Sequence, residues 1–154
     1  MKLNIFNWEI LKDTEESFSL SIQAIKQGYK EIFKGSKLEN INIVFVQPKY
    51  IQKLNKQYRG IDLVTDVLSF NISSDDAEIY ICPAYVYESF KGSDFEEEIL
   101  RLIIHGTLHI LGYNHKGSLD DSPNEEMFKL QEDLIIKYLA YVHSNRVRKS
   151  RKRV

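Results

Sequence analysis

The sequence predicts an α+β fold in a single domain, with a small, mixed, four-stranded β-sheet packed with about five helices. Three observations predict it. Strand-like and helix-like segments follow one another in the order β-α-β-α-β-β-α-α-α. Two of the strand segments are joined by a turn too short for a crossover, so that pair is antiparallel. One helical segment, with Ile99, Leu100, Leu102, Ile103 and Ile104, is apolar nearly all round, as a central buried helix must be.

Each element has its own signal. Residues 2–8 alternate, with Leu3, Ile5 and Trp8 set against Asn4 and Asn7, and read as a first strand. Asp13, Thr14, Glu15 and Glu16 open a helix with acids where the dipole favours them. Its apolar face is Phe18, Ile22, Ile25, Tyr29 and Ile32 or Phe33, and Lys34-Gly35-Ser36-Lys37 ends it. Residues 41–47 are rich in β-branched side chains and form the second strand. Pro48 opens a helix at a position that tolerates proline, with Ile51, Leu54 and Tyr58 as its stripe. Residues 59–64 are a loop. Residues 66–71 and 78–82 are strands around a turn at 73–76. Pro83 starts a short helix with Tyr85, Val86 and Phe90. Ser93 and Glu96 form a capping-box pattern at the head of the central helix. A last helix begins near Pro123 and carries Met127, Leu130, Leu134, Ile135 and Leu139.

The 154 residues suffice to bury a substantial core in one domain. Cys82 is the only cysteine, which excludes an intramolecular disulfide and fits a reducing compartment. No signal-peptide core and no apolar run of the ~20 residues needed to span a bilayer is present. The expected location is the cytoplasm, with no membrane partner. The net charge of −1 conceals an asymmetry: residues 146–154 hold six Lys/Arg and no acid, leaving 15 basic against 22 acidic residues in the body. Residues 1–145 are expected to form the catalytic domain and residues 146–154 a disordered basic tail. Such a tail is either a handle for a polyanion or a solvated end.

Chemistry concentrates in His105-Gly106-Thr107-Leu108-His109-Ile110-Leu111-Gly112-Tyr113-Asn114-His115. His105 and His109 stand one helical turn apart on one face. Gly112 can end the helix in a left-handed conformation and let the chain return His115 toward the pair. Three imidazoles suit one zinc ion per chain with a fourth position open to water. An open zinc acidifies its water and polarises an acyl or phosphoryl oxygen, which implies hydrolysis. Buried without a metal, the ring nitrogens would each cost roughly 1–3 kcal/mol. His143 stands alone near the end of the last helix and reads as an ordinary surface residue.

The spacing H-x-x-x-H-x-x-G-x-x-H is similar to that of metzincin metalloproteases, so the metal site is expected to be metzincin-like. Those proteases place a glutamate general base directly after the first histidine, where this chain has Gly106. Zinc deaminases fit less well, because they need a Cys-x-x-Cys pair.

The histidine stretch also closely resembles the signature of the YbeY family of bacterial metal-dependent endoribonucleases. A second block agrees, Leu54-Asn55-Lys56-Gln57-Tyr58-Arg59-Gly60 followed by Thr65-Asp66-Val67-Leu68-Ser69-Phe70. Ala77-Glu78-Ile79-Tyr80-Ile81, and Met127 with Glu132, agree more weakly. The resemblance spans about residues 40 to 135. It implies zinc on His105, His109 and His115, an arginine lining the cleft at Arg59, and single-strand cleavage in 16S rRNA 3′-end maturation and ribosome quality control. The implied partners are rRNA, the small ribosomal subunit and ribosome-associated proteins. Asn114, Glu78 and Val64 depart from the family pattern without removing a ligand.

The expected function is therefore a zinc-dependent endoribonuclease with His105, His109, His115 and Arg59 as catalytic residues. Arg59 offers a planar, permanently charged fork for phosphate. Thr65, Asp66 and Ser69 either line the cleft or support it. The nucleophile is either metal-bound water or the RNA 2′-hydroxyl. The alternatives are a metzincin-like metallopeptidase, disfavoured by Gly106, and a non-catalytic zinc-containing ribosome-assembly factor.

Overall fold

In the computed structural model, strands β1 (Lys2–Phe6), β2 (Asn40–Phe45), β3 (Val67–Asn71) and β4 (Asp76–Ile81) make one sheet in the order β1-β2-β4-β3. β1, β2 and β4 are parallel, and β3 pairs antiparallel with β4 as the short 73–76 turn requires. The structure describes residues 1–91, 94–113 and 125–152, with side chains as far as residue 144. The helices are α1 (Trp8–Thr14), α2 (Ile22–Ile32), α3 (Pro48–Arg59), α4 (Pro83–Ser89), α5 (Phe95–Ile110) and α6 (Glu125–Lys152). The mixed sheet and single domain agree with the sequence reading.

The sixth helix arises where one long helix was expected. The segment 13–33 is broken into α1 and α2 by residues 15–21. Phe18 and Leu20 are buried while Ser17 and Ser19 are exposed, which is period two rather than 3.6. The Ser21 hydroxyl then accepts from the Ala24 N–H at 3.0 Å and caps α2. Trp8 likewise belongs to α1 and not to β1. Asn7 turns the chain between them with φ 60°, and its side-chain amide donates to the Phe45 carbonyl at 3.0 Å.

Alternation along the strands divides the sheet into two faces. Ile41, Ile43, Phe45, Ala77, Ile79 and Ile81 are buried on one face, against α2, α5 and α6. Burial of each such side chain is worth about 1.5–3 kcal/mol, so this face holds the main core. α5 runs through it with Ile99, Leu100, Ile103 and Ile104 fully buried, as its sequence demands. α2 and α6 approach closely at Gly28, where a β-carbon would lie 2.8 Å from the Tyr138 ring. The Tyr138 hydroxyl donates to the Ile25 carbonyl. On the other face α3 covers a smaller cluster of Val46, Ile51, Leu68 and Cys82. Among the described residues no helix is long and apolar enough to cross a membrane.

Candidate active site

α3, β3, α5 and α6 enclose a cleft of about 690 Å³. Its lining includes Arg59 from α3, Asp66 and Ser69 at and on β3, His105 and His109 from α5, and Gln131 from α6. Two sequence blocks about 40 residues apart therefore meet at one place. Thr65 stands behind the lining, its hydroxyl 3.4 Å from Asp66 Oδ1. His115 and Asn114 lie outside the described residues, as does Ser93.

His105 and His109 are brought together by one helical turn. Their Nε2 atoms are 3.0 Å apart and their rings cross edge to face at 72°. Zinc–nitrogen bonds of 2.0–2.1 Å at the tetrahedral angle require a separation of about 3.3 Å, close to the one observed. His105 Nδ1 faces Gln131 Oε1 at 2.8 Å. The Gln131 amide is oriented by its own Nε2, which donates to Glu132 Oε2 at 3.3 Å. The amide oxygen therefore faces His105 and accepts from Nδ1–H, which leaves Nε2 as a bare lone pair directed at His109. This donor set fits a zinc ion. Among the described residues no three His, Cys, Asp or Glu side chains gather as a metal-holding group.

The helix then ends where the sequence places its end. Gly112 has φ +101°, and its N–H donates to the His109 carbonyl at 3.1 Å. Gly106 has a different cause. A β-carbon there would lie 2.8 Å from the Ser69 hydroxyl and 3.0 Å from Ile79. The position after the first histidine is thus closed by side chains of β3 and β4, and a β-carbon there requires Ser69 or Ile79 to shift.

Arg59 is the last residue of α3. Gly60 caps the helix with φ 72° and turns the chain away, which leaves the guanidinium at the cleft. Arg59 donates to Asn55 Oδ1 at 3.4 Å, and the buried Asn55 amide donates to the Leu63 carbonyl at 3.0 Å. Burial pushes the Asp66 carboxyl above the usual carboxylate range, while the Val67 N–H and the charge of His105 pull it back.

Several lining residues were not singled out for the site from sequence. Gln131 is buried at 5% exposure on the stripe Met127, Gln131, Leu134, Tyr138. A polar residue on an apolar helical stripe was the available signal. Arg101 is the only Lys/Arg in α5. It donates to Glu97 at 2.9 Å, to Glu98 at 2.5 Å and to both oxygens of Glu132, at 3.0 and 3.1 Å. Its spacing from Glu97 and Glu98 was visible, but its partner on α6 was not. His143 is exposed, as expected.

Known proteins share this arrangement of sequence. The family model described as endoribonuclease YbeY matches residues 7–139. The endoribonuclease YbeY of Thermotoga sp. (strain RQ2) is 37% identical over 119 residues, covering 74% of this chain and 78% of that protein. The endoribonuclease YbeY of Acholeplasma laidlawii is 33% identical over 143 residues, covering 89% and 96%. The solution structure of a Thermotoga maritima target protein superposes with a TM-score of 0.57 at 30% identity, covering 94% of this chain and 93% of that one. With the family model spanning most of the residues that build the cleft, the chain belongs to the YbeY endoribonuclease family.

Proposed function

We propose that this protein is a zinc-dependent, single-strand-specific endoribonuclease that hydrolyses phosphodiester bonds in 16S rRNA 3′-end maturation and ribosome quality control. The observation that carries the reading is that Arg59 and the paired Nε2 atoms of His105 and His109 line one cleft. rRNA and the small ribosomal subunit are the partners this reading entails.

His105, His109 and His115 would hold the zinc, which when bound supplies an acidified water and a Lewis acid for the phosphoryl oxygen. Gln131 holds the His105 ring in the tautomer and orientation that a ligand needs. Arg59 binds the scissile phosphate. Its charge would offset the negative charge that builds on the equatorial oxygens. Asn55 Oδ1 accepts from one nitrogen of the guanidinium at 3.4 Å. Asp66, partly withdrawn from water, keeps a carboxyl in the same cleft.

Metal content and cleavage of a single-stranded rRNA fragment, measured on His109→Ala and Arg59→Ala, test the reading. His109→Ala is expected to lose zinc and cleavage. Arg59→Ala is expected to keep zinc and lose about 10²–10³ in rate. Full cleavage with wild-type ends in both variants overturns the assignment.

A further inference from the structure

The strand alternation that builds the core also builds a second surface. Leu68, Phe70, Glu78 and Tyr80 point away from α5, on the face that α3 covers only in part. There the aromatic side chains form a row. Tyr50 of α3 stacks on Tyr80 with centroids 6.2 Å apart and planes at 29°. Tyr80 meets Phe70 at 5.8 Å, and Phe70 meets Tyr58 at 5.0 Å. Tyr58 and Phe70 line the cleft, and Arg59 follows Tyr58 in the chain, so the row ends at the candidate active site.

The middle of the row, Phe70 and Tyr80, packs against the buried cluster of Val46, Ile51, Leu68 and Cys82. Its two ends do not: Tyr50 is 51% exposed and Tyr58 59% exposed, more than seating α3 on the sheet requires. Its charge setting also selects a partner. α3 carries Lys49, Lys53, Lys56 and Arg59 and no acid, in a chain whose body is otherwise acidic. Lys56 is engaged with Asp62 at 3.8 Å. Lys49 and Lys53 are exposed, one beside Tyr50 in sequence and the other about one turn further along the helix. Exposed aromatic rings and exposed cations on the same helix match a strand of unpaired bases on a phosphate backbone. They do not match a duplex, whose bases are already stacked on one another.

We propose that this face is the track on which single-stranded RNA enters the cleft, with bases stacked on Tyr50 and Tyr58, which Tyr80 and Phe70 back, and phosphates met by Lys49 and Lys53. The proposal rests on the endoribonuclease reading and deepens it: the rings hold the bases flanking one side of the scissile phosphate. It gives single-strand preference a physical origin, since the rings can be covered only by bases free of a partner strand.

Anisotropy of a fluorescein-labelled single-stranded oligoribonucleotide, titrated with the full chain in chelator to hold cleavage off, tests it. Tyr50→Ala is expected to weaken binding about fivefold or more, the lower end of what one stacked base contributes. Tyr50→Phe and Tyr50→Trp are expected to bind as wild type does. Lys53→Gln is expected to reduce the slope of log affinity against log salt by about 1. Wild-type binding by both Tyr50→Ala and Lys53→Gln overturns the track, as does an equal effect of Tyr50→Ala on duplex RNA. If RNA binding depends on Tyr50 but the loaded wild type cleaves nothing, the track stands and the nuclease reading fails. If the wild type cleaves and the variants bind unchanged, the reverse holds.

Discussion

His105 and Gln131 are joined across the α5–α6 interface, Nδ1 donating to the amide oxygen at 2.8 Å. A helix that otherwise contributes core thereby sets the tautomer of a candidate metal ligand. Gln131→Met, which preserves volume and removes the acceptor, is expected to lower zinc affinity about 10- to 100-fold while leaving the helices intact. Gln131→Glu keeps an acceptor and is expected to retain most of the affinity. Competition with a chromophoric chelator measures both; a Gln131→Met protein that binds zinc like the wild type sinks the idea.

Gly106 faces Ser69 with no space for a β-carbon. On an open helix surface Gly→Ala stabilises by up to about 1 kcal/mol. Here Gly106→Ala is expected to destabilise by about 1–3 kcal/mol instead, because overpacking outweighs propensity. Adding Ser69→Ala removes the atom at 2.8 Å and is expected to recover part of the loss, leaving the contact with Ile79. Urea midpoints of the three proteins decide the sign.

The parts legible in sequence were those set by local periodicity. α5 declared itself by its apolar run, and the i, i+4 spacing fixed the approach of His105 and His109. The proline and glycine ends of α3 placed Arg59 at a helix terminus. What could not be read depended on which elements pack together. Gln131 and Arg101 act through an α5–α6 contact 26 to 31 residues apart in sequence. The break between α1 and α2 is a nearer case. Ser17, Ser19 and Ser21 alternate with Phe18 and Leu20, a strand-like period inside a segment whose wider spacing imitated one helix.

Tyr29 and Tyr138 give the core a pH dependence in alkali. Burial raises both phenols well above their ordinary value, and the Tyr29 hydroxyl bonds Thr107 Oγ1 at 3.0 Å. Above the unfolded value of about 10 the unfolded chain releases protons that the native chain keeps. Stability is therefore complete below about pH 10 and falls as pH rises, by about 1.4 kcal/mol per unit for each tyrosine. Tyr29→Phe is expected to cost about 1 kcal/mol at pH 7, the worth of one hydrogen bond. Above pH 10 it is expected to lose stability less steeply than the wild type, so the two denaturation curves converge. Parallel stability–pH profiles would refute this.

Arg101 holds three carboxylates, those of Glu97, Glu98 and Glu132, beside the cleft. Burial raises the Glu98 carboxyl, Arg101 lowers it, and Glu97 and Glu132 raise it again. Removing the cation leaves three like charges partly screened from water. Arg101→Gln is expected to cost about 2–3 kcal/mol, below the roughly 3–5 kcal/mol of a fully buried pair because the side chain keeps some contact with solvent. The sign of its pH dependence identifies the cause. Without the guanidinium nothing offsets the burial and the neighbouring charges that raise the Glu98 carboxyl, so the native state takes up a proton before the unfolded chain does and stability increases as pH falls from 7 toward 5. Guanidinium denaturation of Arg101→Gln at pH 7 and pH 5 reads this directly. A variant that is no more stable at pH 5, relative to the wild type, would show that the loss comes from packing of the arginine stem rather than from its charge.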